Sequence, residues 1–327
     1  MILVTGGAGF IGSNLVAALG ERDTRVVVCD WLGRDERWRN LAKHAVYDLV
    51  VPEALPAWLE RHGSRLSAVV HLGAVTRTDE TDVDLIVTRN VRASIDLLEW
   101  CTETEVPFLY ASSAATYGDG AEGFDDDASP AGLARLRPRN AYGWSKHLVD
   151  RRIVELATGD EPLPPQWVGL KFFNVYGPNE YHKGAMQSVI ARRFEELNGG
   201  APLKLFRSDR ADYADGEQMR DFVYVADCVD LMLWLLEHRG VSGIFNVGTG
   251  RARSWRALGG ALFRALGRPE AIEWIDLPDS LKGQYQYFTE ARIERLRAAG
   301  YTRPFTSLED GIDDYVKRYL LATDRYR

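Results

Sequence analysis

A tyrosine and a lysine stand four residues apart in the segment AYGWSK, as Tyr142 and Lys146. The segment is predicted to be helical, and on a helix this spacing puts both side chains on one face, about one turn apart. A phenol ordinarily titrates near pH ~10, and a neighbouring ammonium favours the phenolate, so the pair can move a proton closer to neutral pH. By itself this spacing more often marks a solvated helix face, so its interpretation depends on the rest of the chain.

A glycine-rich turn follows the first apolar segment. Residues 1–5 (MILVT) are predicted to form a buried strand, and the sequence then passes through GGAGFIGSN into the amphipathic segment LVAALGER. Gly6, Gly9 and Gly12 recur every three residues, which suits a tight turn, close approach of the backbone to a pyrophosphate and close packing of helix on strand. The helix N-terminus adds unpaired N–H groups and a positive dipole end. This context predicts dinucleotide binding rather than a purely structural turn.

The second predicted strand, RVVVCD, carries an acidic residue at its end. Asp30 lies about twenty residues beyond the glycine turn, where a carboxylate commonly accepts hydrogen bonds from an adenosine ribose. A carboxylate there repels a 2′-phosphate and so favours NAD. The turn that follows nevertheless contains Arg34, Arg37 and Arg39, any of which can clamp that phosphate or lie on a solvated loop. These residues leave NAD and NADP both open.

Later strand ends supply further polar groups. AVVHLGAV (68–75) is predicted to be a buried strand that contains His71 as a core residue and ends at Gly73, where cofactor backbone can approach. Asn90 lies on a helix, either at its surface or near the cofactor. VPFLYASSAATYG (106–118) is predicted to be a strand running into a serine-rich turn, where hydroxyls face the ligand crevice. Ser113 is the candidate partner for a substrate hydroxyl, with Thr116 as the alternative, and the acidic loop GFDDDASP (123–130) is expected to be exposed.

Composition limits the classes of protein to which the chain can belong. Its 327 residues are 46% hydrophobic and 27% charged, as in ordinary globular proteins, and its net charge is −7. An acidic chain is not expected to have nucleic acid or an anionic membrane as its main partner. Cys29, Cys101 and Cys228 lack disulfide or zinc-site spacing, so no metal is expected. No apolar run approaches the ~20 residues of a membrane helix, and a cytoplasmic location is expected.

The motifs together resemble a known family. TGGAGFIG, HLGA, SSAATYG, YGWSK, KFFNVYGPNE, RDFVYVADCVD, GIFNVGTGR and the segment 281–301 are similar to the extended short-chain dehydrogenases/reductases of the nucleotide-sugar epimerase and dehydratase type. The resemblance implies an α/β fold, a Rossmann-type doubly wound parallel sheet with a smaller, interleaved C-terminal substrate domain. Residues 1–170 and about 219–245 are expected to bind the cofactor, and about 171–218 and 246–327 the sugar nucleotide. The tail YVKRYLLATDRYR is predicted to be a helix followed by frayed residues, and a homo-oligomer is expected.

Within this family the chain resembles the branch that inverts carbon 6 of an ADP-linked heptose with NADP. The stretch HKG after FNVYGP is the most discriminating feature, because it places Lys183 where that branch has a second catalytic group. Two departures affect the substrate site. Ala185 stands where a serine is usual, and the loop SDRADYADGEQM (208–219) is longer and more acidic.

The resemblance also implies roles for individual residues. Tyr142, Lys146 and Ser113 match the catalytic positions, while Asp30 and Arg37 match the contacts to adenosine ribose and 2′-phosphate, with arginine replacing a lysine. The further cofactor contacts expected are Gly6, Gly9, Phe10, Ile11, Gly12, Trp31, Leu72, Gly73, Ala74, Asn90, Val175 and Lys183. The substrate contacts expected are Ser113, Asn174, Ala185, Arg192, Phe206, Arg220 and Tyr285.

Several of these residues also admit simpler roles. Lys183 on an exposed turn would bind phosphate only, and Arg220 would pair with Asp221 or Asp227. Tyr285 would pack between lobes.

The chemistry follows from the stereochemical problem. Inverting a carbon that bears no acidic proton requires a temporary carbonyl, which a nicotinamide can create and remove. Proton transfer for the two epimers is easier with a separate group for each, which suggests Tyr142 and Lys183. A dehydratase is disfavoured, because Ala114 and Ala115 stand where that class carries Asp-Glu. A 4-epimerase and a non-catalytic dinucleotide-binding protein are the alternatives, although the latter would be expected to lack the tyrosine or the lysine.

Overall fold

The residues that this computed structural model describes, 1–279 and 285–327, alternate between strands and helices. The strands are β1 (Ile2–Thr5), β2 (Val26–Cys29), β3 (Asp48–Val50), β4 (Ala68–His71), β5 (Phe108–Ser113), β6 (Trp167–Phe172), β7 (Asn174–Tyr176), β8 (Leu203–Phe206), β9 (Met219–Arg220), β10 (Phe222–Tyr224), β11 (Gly243–Val247), β12 (Arg253–Ser254) and β13 (Ile272–Ile275). The helices are α1 (Phe10–Gly20), α2 (Leu55–His62), α3 (Val83–Ile86), α4 (Ala93–Glu103), α5 (Pro130–Arg135), α6 (Ala141–Thr158), α7 (Val189–Asn198), α8 (Val225–Glu237), α9 (Trp255–Ala265), α10 (Glu294–Ala298) and α11 (Leu308–Tyr315).

The main sheet has seven strands in the order β11-β6-β5-β4-β1-β2-β3. Every neighbouring pair in it is parallel. The chain first runs outward from β1 to β3 and then returns to β4 on the other side of β1. A ligand crevice is expected outside the carboxyl ends of β1 and β4, where the direction of winding reverses. The predicted Rossmann-type α/β fold is confirmed.

Helices cover both faces of this sheet, which explains why its strands are apolar throughout. The strands β1, β2 and β4 are buried at every position, as expected for a parallel sheet between two helical layers. Ile2 and Val4 face a core that includes residues of α1 and α8. Leu3, one position between them, faces the opposite core with residues of α2, α4 and α6.

A third core lies under the smaller sheets formed by later parts of the chain. The strand pairs are β7 with β10, β9 with β12 and β8 with β13. Phe194 of α7, Leu262 of α9 and Ile312 of α11 are buried together in this core. It also contains Phe10, the first residue of α1, so the helix that follows the glycine turn contacts this core as well as the core that Ile2 and Val4 face.

The segment AYGWSK is helical as predicted. It opens α6, and the side chain of Asn140 accepts a hydrogen bond from the Gly143 N–H at 2.8 Å, which satisfies one of the unpaired donors of the first turn. The cap fixes where the helix begins. Tyr142 and Lys146 therefore lie in its first two turns, next to the end of β5.

The expectation that the acidic loop 123–130 is exposed is wrong for two of its residues. Phe124 is buried, and the Asp126 carboxylate accepts a hydrogen bond from the Asn246 N–H of β11 at 2.9 Å. The Asn246 amide in turn donates to the Phe124 carbonyl at 2.8 Å. The loop is held because these groups satisfy backbone atoms that would otherwise be buried without partners.

The expectation that the tail is frayed is also wrong. The Arg327 N–H donates to the Asn179 side chain at 3.0 Å, and the Tyr181 hydroxyl donates to the Arg325 carbonyl at 2.7 Å. The buried Tyr326 ring lies 4.8 Å from the Arg39 guanidinium. These contacts, made to segments far away in sequence, order the tail.

Residues 281–284 of the segment 281–301, used for the family resemblance, lie outside the described residues. Within 1–279 and 285–327, none of the helices has the length and apolar character needed to cross a membrane.

The tight packing at Gly12 gives a test of the fold. A Cβ added at Gly12 would lie 2.1 Å from the Gly6 carbonyl oxygen, whereas one added at Gly20 of the same helix would meet open space. We expect Gly12→Ala to lower the free energy of unfolding by about 1–3 kcal/mol through overpacking. Gly20→Ala should leave it unchanged or raise it by about 0.5–1 kcal/mol. Chemical unfolding of both variants checks this, and equal stabilities would contradict it.

Candidate active site

A cavity of about 1600 Å³ follows the carboxyl ends of the main strands. Its wall includes the last residues of β1, β2, β4 and β5, together with a 3-10 turn that follows β7. The wall includes these predicted residues: Gly6, Gly9, Phe10, Ile11, Gly12, Asp30, Trp31, Arg37, Leu72, Gly73, Ala74, Ser113, Tyr142, Lys146, Asn174, Val175, Lys183, Ala185 and Arg192. The strand-end crevice expected from the topology is therefore present.

The glycine turn fits a dinucleotide. Gly6 has φ +64°, and a Cβ there would lie 2.7 Å from the Gly73 N–H nitrogen. Only glycine suits this conformation and this close approach of two strand ends. The turn leads directly into α1, whose N-terminal residue Phe10 lines the cavity. A pyrophosphate at this place would meet free backbone N–H groups and the positive end of the helix dipole.

Asp30 and Arg37 lie together at one part of the cavity wall. The Asp30 carboxylate accepts from the Ala8 N–H at 2.9 Å, and the Arg37 guanidinium is 3.7 Å away. Burial raises the pKa of Asp30, whereas these two contacts act to lower it. Of the three arginines considered, Arg37 lines the cavity, while Arg39 is exposed and pairs with Glu36 at 3.0 Å.

Tyr142 and Lys146 both line the cavity, and burial shifts the pKa of each side chain. Burial raises the pKa of Tyr142, and a hydrogen bond with Ser113 opposes that shift. Burial lowers the pKa of Lys146 to about 8, and the Asp150 carboxylate opposes this. Desolvation of the phenolate is the largest influence on the Tyr142 pKa in the free protein, and the expectation that Lys146 lowers this pKa stays a prediction.

Ser113, rather than Thr116, is available to a ligand. Thr116 is completely buried, accepts a hydrogen bond from the Lys171 ammonium at 2.6 Å and donates to the Ser113 carbonyl at 2.8 Å. The alternative assignment of Thr116 as the substrate contact is therefore wrong. Both its hydroxyl proton and its oxygen are engaged behind the wall.

Lys183 lies on the 3-10 turn Tyr181–Met186, and its ammonium is 5.2 Å from the centre of the Phe10 ring. Burial lowers the pKa of Lys183, while the nearby Glu180 carboxylate raises it. The turn is not a free surface loop. Glu180 is fully buried, and its carboxylate accepts from the Gly177 N–H at 3.3 Å and from the Ser188 hydroxyl at 2.7 Å. One carboxylate thus fastens both ends of the segment that carries Lys183.

This segment is joined to the glycine turn by polar contacts that no sequence pattern indicates. The buried Asn40 amide donates to the Ala8 carbonyl at 2.9 Å and to the Asn179 carbonyl at 3.2 Å. The Asn179 amide donates to the Ser13 hydroxyl of α1 at 3.0 Å. The glycine turn and the Lys183 turn are therefore held in one unit.

Arg220, Phe206 and Tyr285 form a second group, which is not part of the cavity wall. The Arg220 guanidinium lies 5.2 Å from the Tyr285 ring centre and 6.0 Å from that of Trp255, which does line the cavity. The Phe206 and Tyr285 rings meet edge to face at 6.0 Å. The Arg220 guanidinium therefore lies beside the cavity, next to aromatic rings.

The simpler role for Arg220, pairing with a neighbouring aspartate, is not observed. Asp221 accepts from the Thr249 N–H at 2.7 Å, and Asp227 accepts from the Thr306 hydroxyl at 2.7 Å. Among residues 1–279 and 285–327, no carboxylate lies within 4.0 Å of the Arg220 guanidinium, although the side chain is only 8% exposed. A buried cation without a carboxylate partner is costly, which points to an anionic ligand.

Asn90 is the one predicted cofactor contact that does not line the cavity. Its side chain accepts from the Val75 N–H at 2.8 Å and donates to the Ser145 hydroxyl at 3.1 Å. Asn90 is fully buried, so it is neither a surface residue nor a direct contact. It holds Val75, which is part of the wall, against α6.

Comparison with known proteins agrees with this geometry. Residues 2–248 match the model of the NAD dependent epimerase/dehydratase family. The ADP-L-glycero-D-manno-heptose-6-epimerase of Nitratidesulfovibrio vulgaris (strain DP4) is 49% identical over 330 residues, which cover 100% of both chains.

Solved structures are similar over nearly the whole chain. The Helicobacter pylori ADP-L-glycero-D-manno-heptose-6-epimerase has a TM-score of 0.79 at 30% identity and covers 97% of this chain and 95% of its own. The Thermus thermophilus UDP-glucose 4-epimerase complex with NAD has a TM-score of 0.77 at 27% identity, with 98% and 99% covered. With a glycine turn shaped for a dinucleotide and a Tyr–Lys pair on the same cavity, the chain belongs to the NAD dependent epimerase/dehydratase family.

Proposed function

We propose that the chain is an ADP-L-glycero-D-manno-heptose-6-epimerase that inverts carbon 6 of ADP-D-glycero-D-manno-heptose with tightly bound NADP. The observation that carries the proposal is that Tyr142 and Lys183, which come from separate elements, line one cavity with the glycine turn. The relative of that name, 49% identical over the full length, supports the choice of substrate.

The chain's own residues handle the proton in this reaction. When bound, a nicotinamide removes and returns hydride at one carbon, so that a hydroxyl becomes a ketone and then a hydroxyl of inverted configuration. Tyr142 exchanges the hydroxyl proton for one epimer and Lys183 for the other. Ser113 holds the reacting oxygen by a hydrogen bond. Lys146, with a pKa of about 8, carries its charge at neutral pH and binds the nicotinamide ribose.

The nucleotide end of the substrate is assigned to the group formed by Phe206, Arg220 and Tyr285. The Arg220 guanidinium, which has no carboxylate within 4.0 Å in the part of the chain that the structure describes, suits a diphosphate, and the edge-to-face rings offer an apolar surface for a base. Asn174 is exposed at the cavity wall and suits a sugar hydroxyl.

We assign residues 1–170 and about 219–245 to a cofactor domain, and about 171–218 and 246–327 to a substrate domain.

We also propose a cytoplasmic homo-oligomer. The three cysteines are buried and unbridged, which suits a reducing compartment. Trp144 and Leu148 lie one turn apart on α6 and remain exposed, as expected of a helix that meets another copy.

The experiment that tests the function is proton NMR of the purified protein mixed with ADP-D-glycero-D-manno-heptose and no added cofactor. Appearance of the L-glycero epimer is expected, because the cofactor is regenerated in every turnover and is retained by the protein. No conversion, even with NADP or NAD added, would contradict the proposal. Conversion of UDP-glucose instead would favour a 4-epimerase.

The two proton-transfer groups are tested by substitution. We expect Lys183→Met and Tyr142→Phe each to lower the rate of epimerisation by about 10²–10⁴-fold. The amount of cofactor that copurifies with Lys183→Met should not change. Lys317→Met is the matched control, because this lysine is exposed and paired with Asp313 on the last helix. Wild-type rates from both epimers in Lys183→Met would exclude the two-group mechanism.

The cofactor preference is tested at Arg37. We expect Arg37→Ala to weaken NADP binding by about 10–100-fold, the size of a lost hydrogen bond to a charged group, and to leave NAD binding nearly unchanged. Calorimetric titration of cofactor-free protein measures both dissociation constants. Arg34→Ala, which changes an exposed arginine of the same turn, is the control. Equal weakening of NAD and NADP by Arg37→Ala would show that Arg37 does not read the 2′-phosphate.

A further inference from the structure

A fully buried ion pair lies behind the wall that carries Ser113, Tyr142 and Lys146. The Lys171 ammonium of β6 is 3.0 Å from the Asp150 carboxylate of α6, and the side chains are 1% and 0% exposed. Neither residue lines the cavity. Well-packed apolar residues would often stabilise a protein at least as well as a buried ion pair, so stability alone does not account for this one.

Asp150 ties the catalytic helix to two strands. Its carboxylate accepts hydrogen bonds from the Tyr110 and Ser112 hydroxyls of β5, at 3.0 and 2.7 Å, in addition to its contact with Lys171 of β6. Asp150 lies one turn beyond Lys146 and two turns beyond Tyr142, so it is on the same side of α6 as that pair. The helix is therefore fixed directly below its two catalytic residues.

Lys171 extends the same network to the serine. Its ammonium donates to the Thr116 hydroxyl at 2.6 Å, and Thr116 donates to the Ser113 carbonyl at 2.8 Å. A continuous chain of polar contacts thus runs from below Lys146 to the backbone of Ser113. It joins the two elements whose side chains must meet at the reacting oxygen.

We propose that Asp150 and Lys171 are positioning residues, which set the distance of the Tyr142–Lys146 face from Ser113, and that the Asp150 carboxylate also helps to keep the Lys146 ammonium charged. This inference rests on the proposed function, because it requires those three residues to act on substrate and cofactor. An apolar pair could pack here, but it could supply neither the directed hydrogen bonds nor the negative charge.

The charge of the Lys146 ammonium depends on the groups that surround it. Asp150 opposes the effect of burial on the Lys146 pKa, and His71 stays neutral because burial and Lys146 lower its pKa to about 3. The titratable groups that face the Lys146–Asp150 pair come from α6, β4, β5, β6 and the turn after β5: Tyr142, His147, His71, Tyr110, Lys171 and Tyr117.

The experiment compares the pH dependence of kcat in Asp150→Asn and Lys171→Met. We expect each to lower kcat by about 10–100-fold through misplacement of the reacting groups, with KM and retained cofactor within about twofold of wild type. Activity that needs the Lys146 ammonium is lost as pH rises through its pKa. Asp150→Asn removes a negative charge near Lys146 and should therefore move the alkaline limb of the kcat–pH profile to lower pH by about one unit. Lys171→Met removes a positive charge and should move this limb to higher pH.

Three further variants separate positioning from folding. Lys171→Arg keeps the charge and should restore most of kcat. Asp227→Asn removes another buried carboxylate, which accepts hydrogen bonds from Thr306 and does not line the cavity. It should lower the free energy of unfolding without moving the alkaline limb of the kcat–pH profile. If the single variants do not fold, the double variant Asp150→Asn/Lys171→Met, which leaves no unpaired charge, should fold with lowered kcat.

The inference is overturned if kcat stays within twofold of wild type in the variants that fold, or if both single variants move the limb in the same direction. If the wild type does not epimerise the heptose, the proposed function has failed instead. The Lys146 pKa is then read from the pH dependence of amine labelling at Lys146 by peptide mass spectrometry. Identical labelling profiles in wild type and Asp150→Asn would overturn the inference on its own.

Discussion

Burial of charge is the constraint on which the organisation of this cavity depends. For Asp30, Lys146, Lys183 and Arg220, burial is the largest influence on the pKa, and in each case it disfavours the charged form. Lys171 is also buried, but its ammonium is paired with the Asp150 carboxylate at 3.0 Å behind the wall. Among residues 1–279 and 285–327, no carboxylate lies within 4.0 Å of the Lys146 and Lys183 ammonium groups, which line the cavity, or of the Arg220 guanidinium beside it. Desolvated positive charge therefore remains at and beside the cavity, where an anionic ligand would balance it.

The second organising feature is the set of polar contacts that make the cavity one rigid unit. Asn40 joins the glycine turn to Asn179 across 139 residues of sequence, and the Arg327 N–H reaches Asn179 from the tail. Glu180 then fixes the segment that bears Lys183. Because the glycine turn and the segment that bears Lys183 share these contacts, their relative position does not depend on a flexible loop. Accurate placement matters, since an error of about 1 Å in a reacting group can cost about 10²-fold in rate.

The sequence predicts the parts of this arrangement that depend on local patterns. The glycine spacing, the apolar strands and the Tyr142–Lys146 spacing each lie within a dozen residues, and each is found where expected. The contacts that fix the site are different. Asp150 with Lys171 and Asn40 with Asn179 are ordinary polar residues whose partners are brought together only by the fold. The expectation of a frayed tail is wrong for the same reason, because its polar sequence is typical of a frayed end and its partners are remote in sequence.

The proposed mechanism assigns proton transfer to Tyr142 and Lys183, and burial shifts the pKa values of these two groups in opposite directions. It raises the pKa of Tyr142 and lowers that of Lys183, so it favours the neutral form of both side chains. Epimerisation takes a proton from a hydroxyl in one step and returns one to the new hydroxyl in the next. A neutral phenol can donate a proton and a neutral amine can accept one, so the two side chains suit the two directions of proton transfer. A single group on α6 would have to serve both configurations from one fixed position, whereas two groups on separate elements allow the ketone to turn between them.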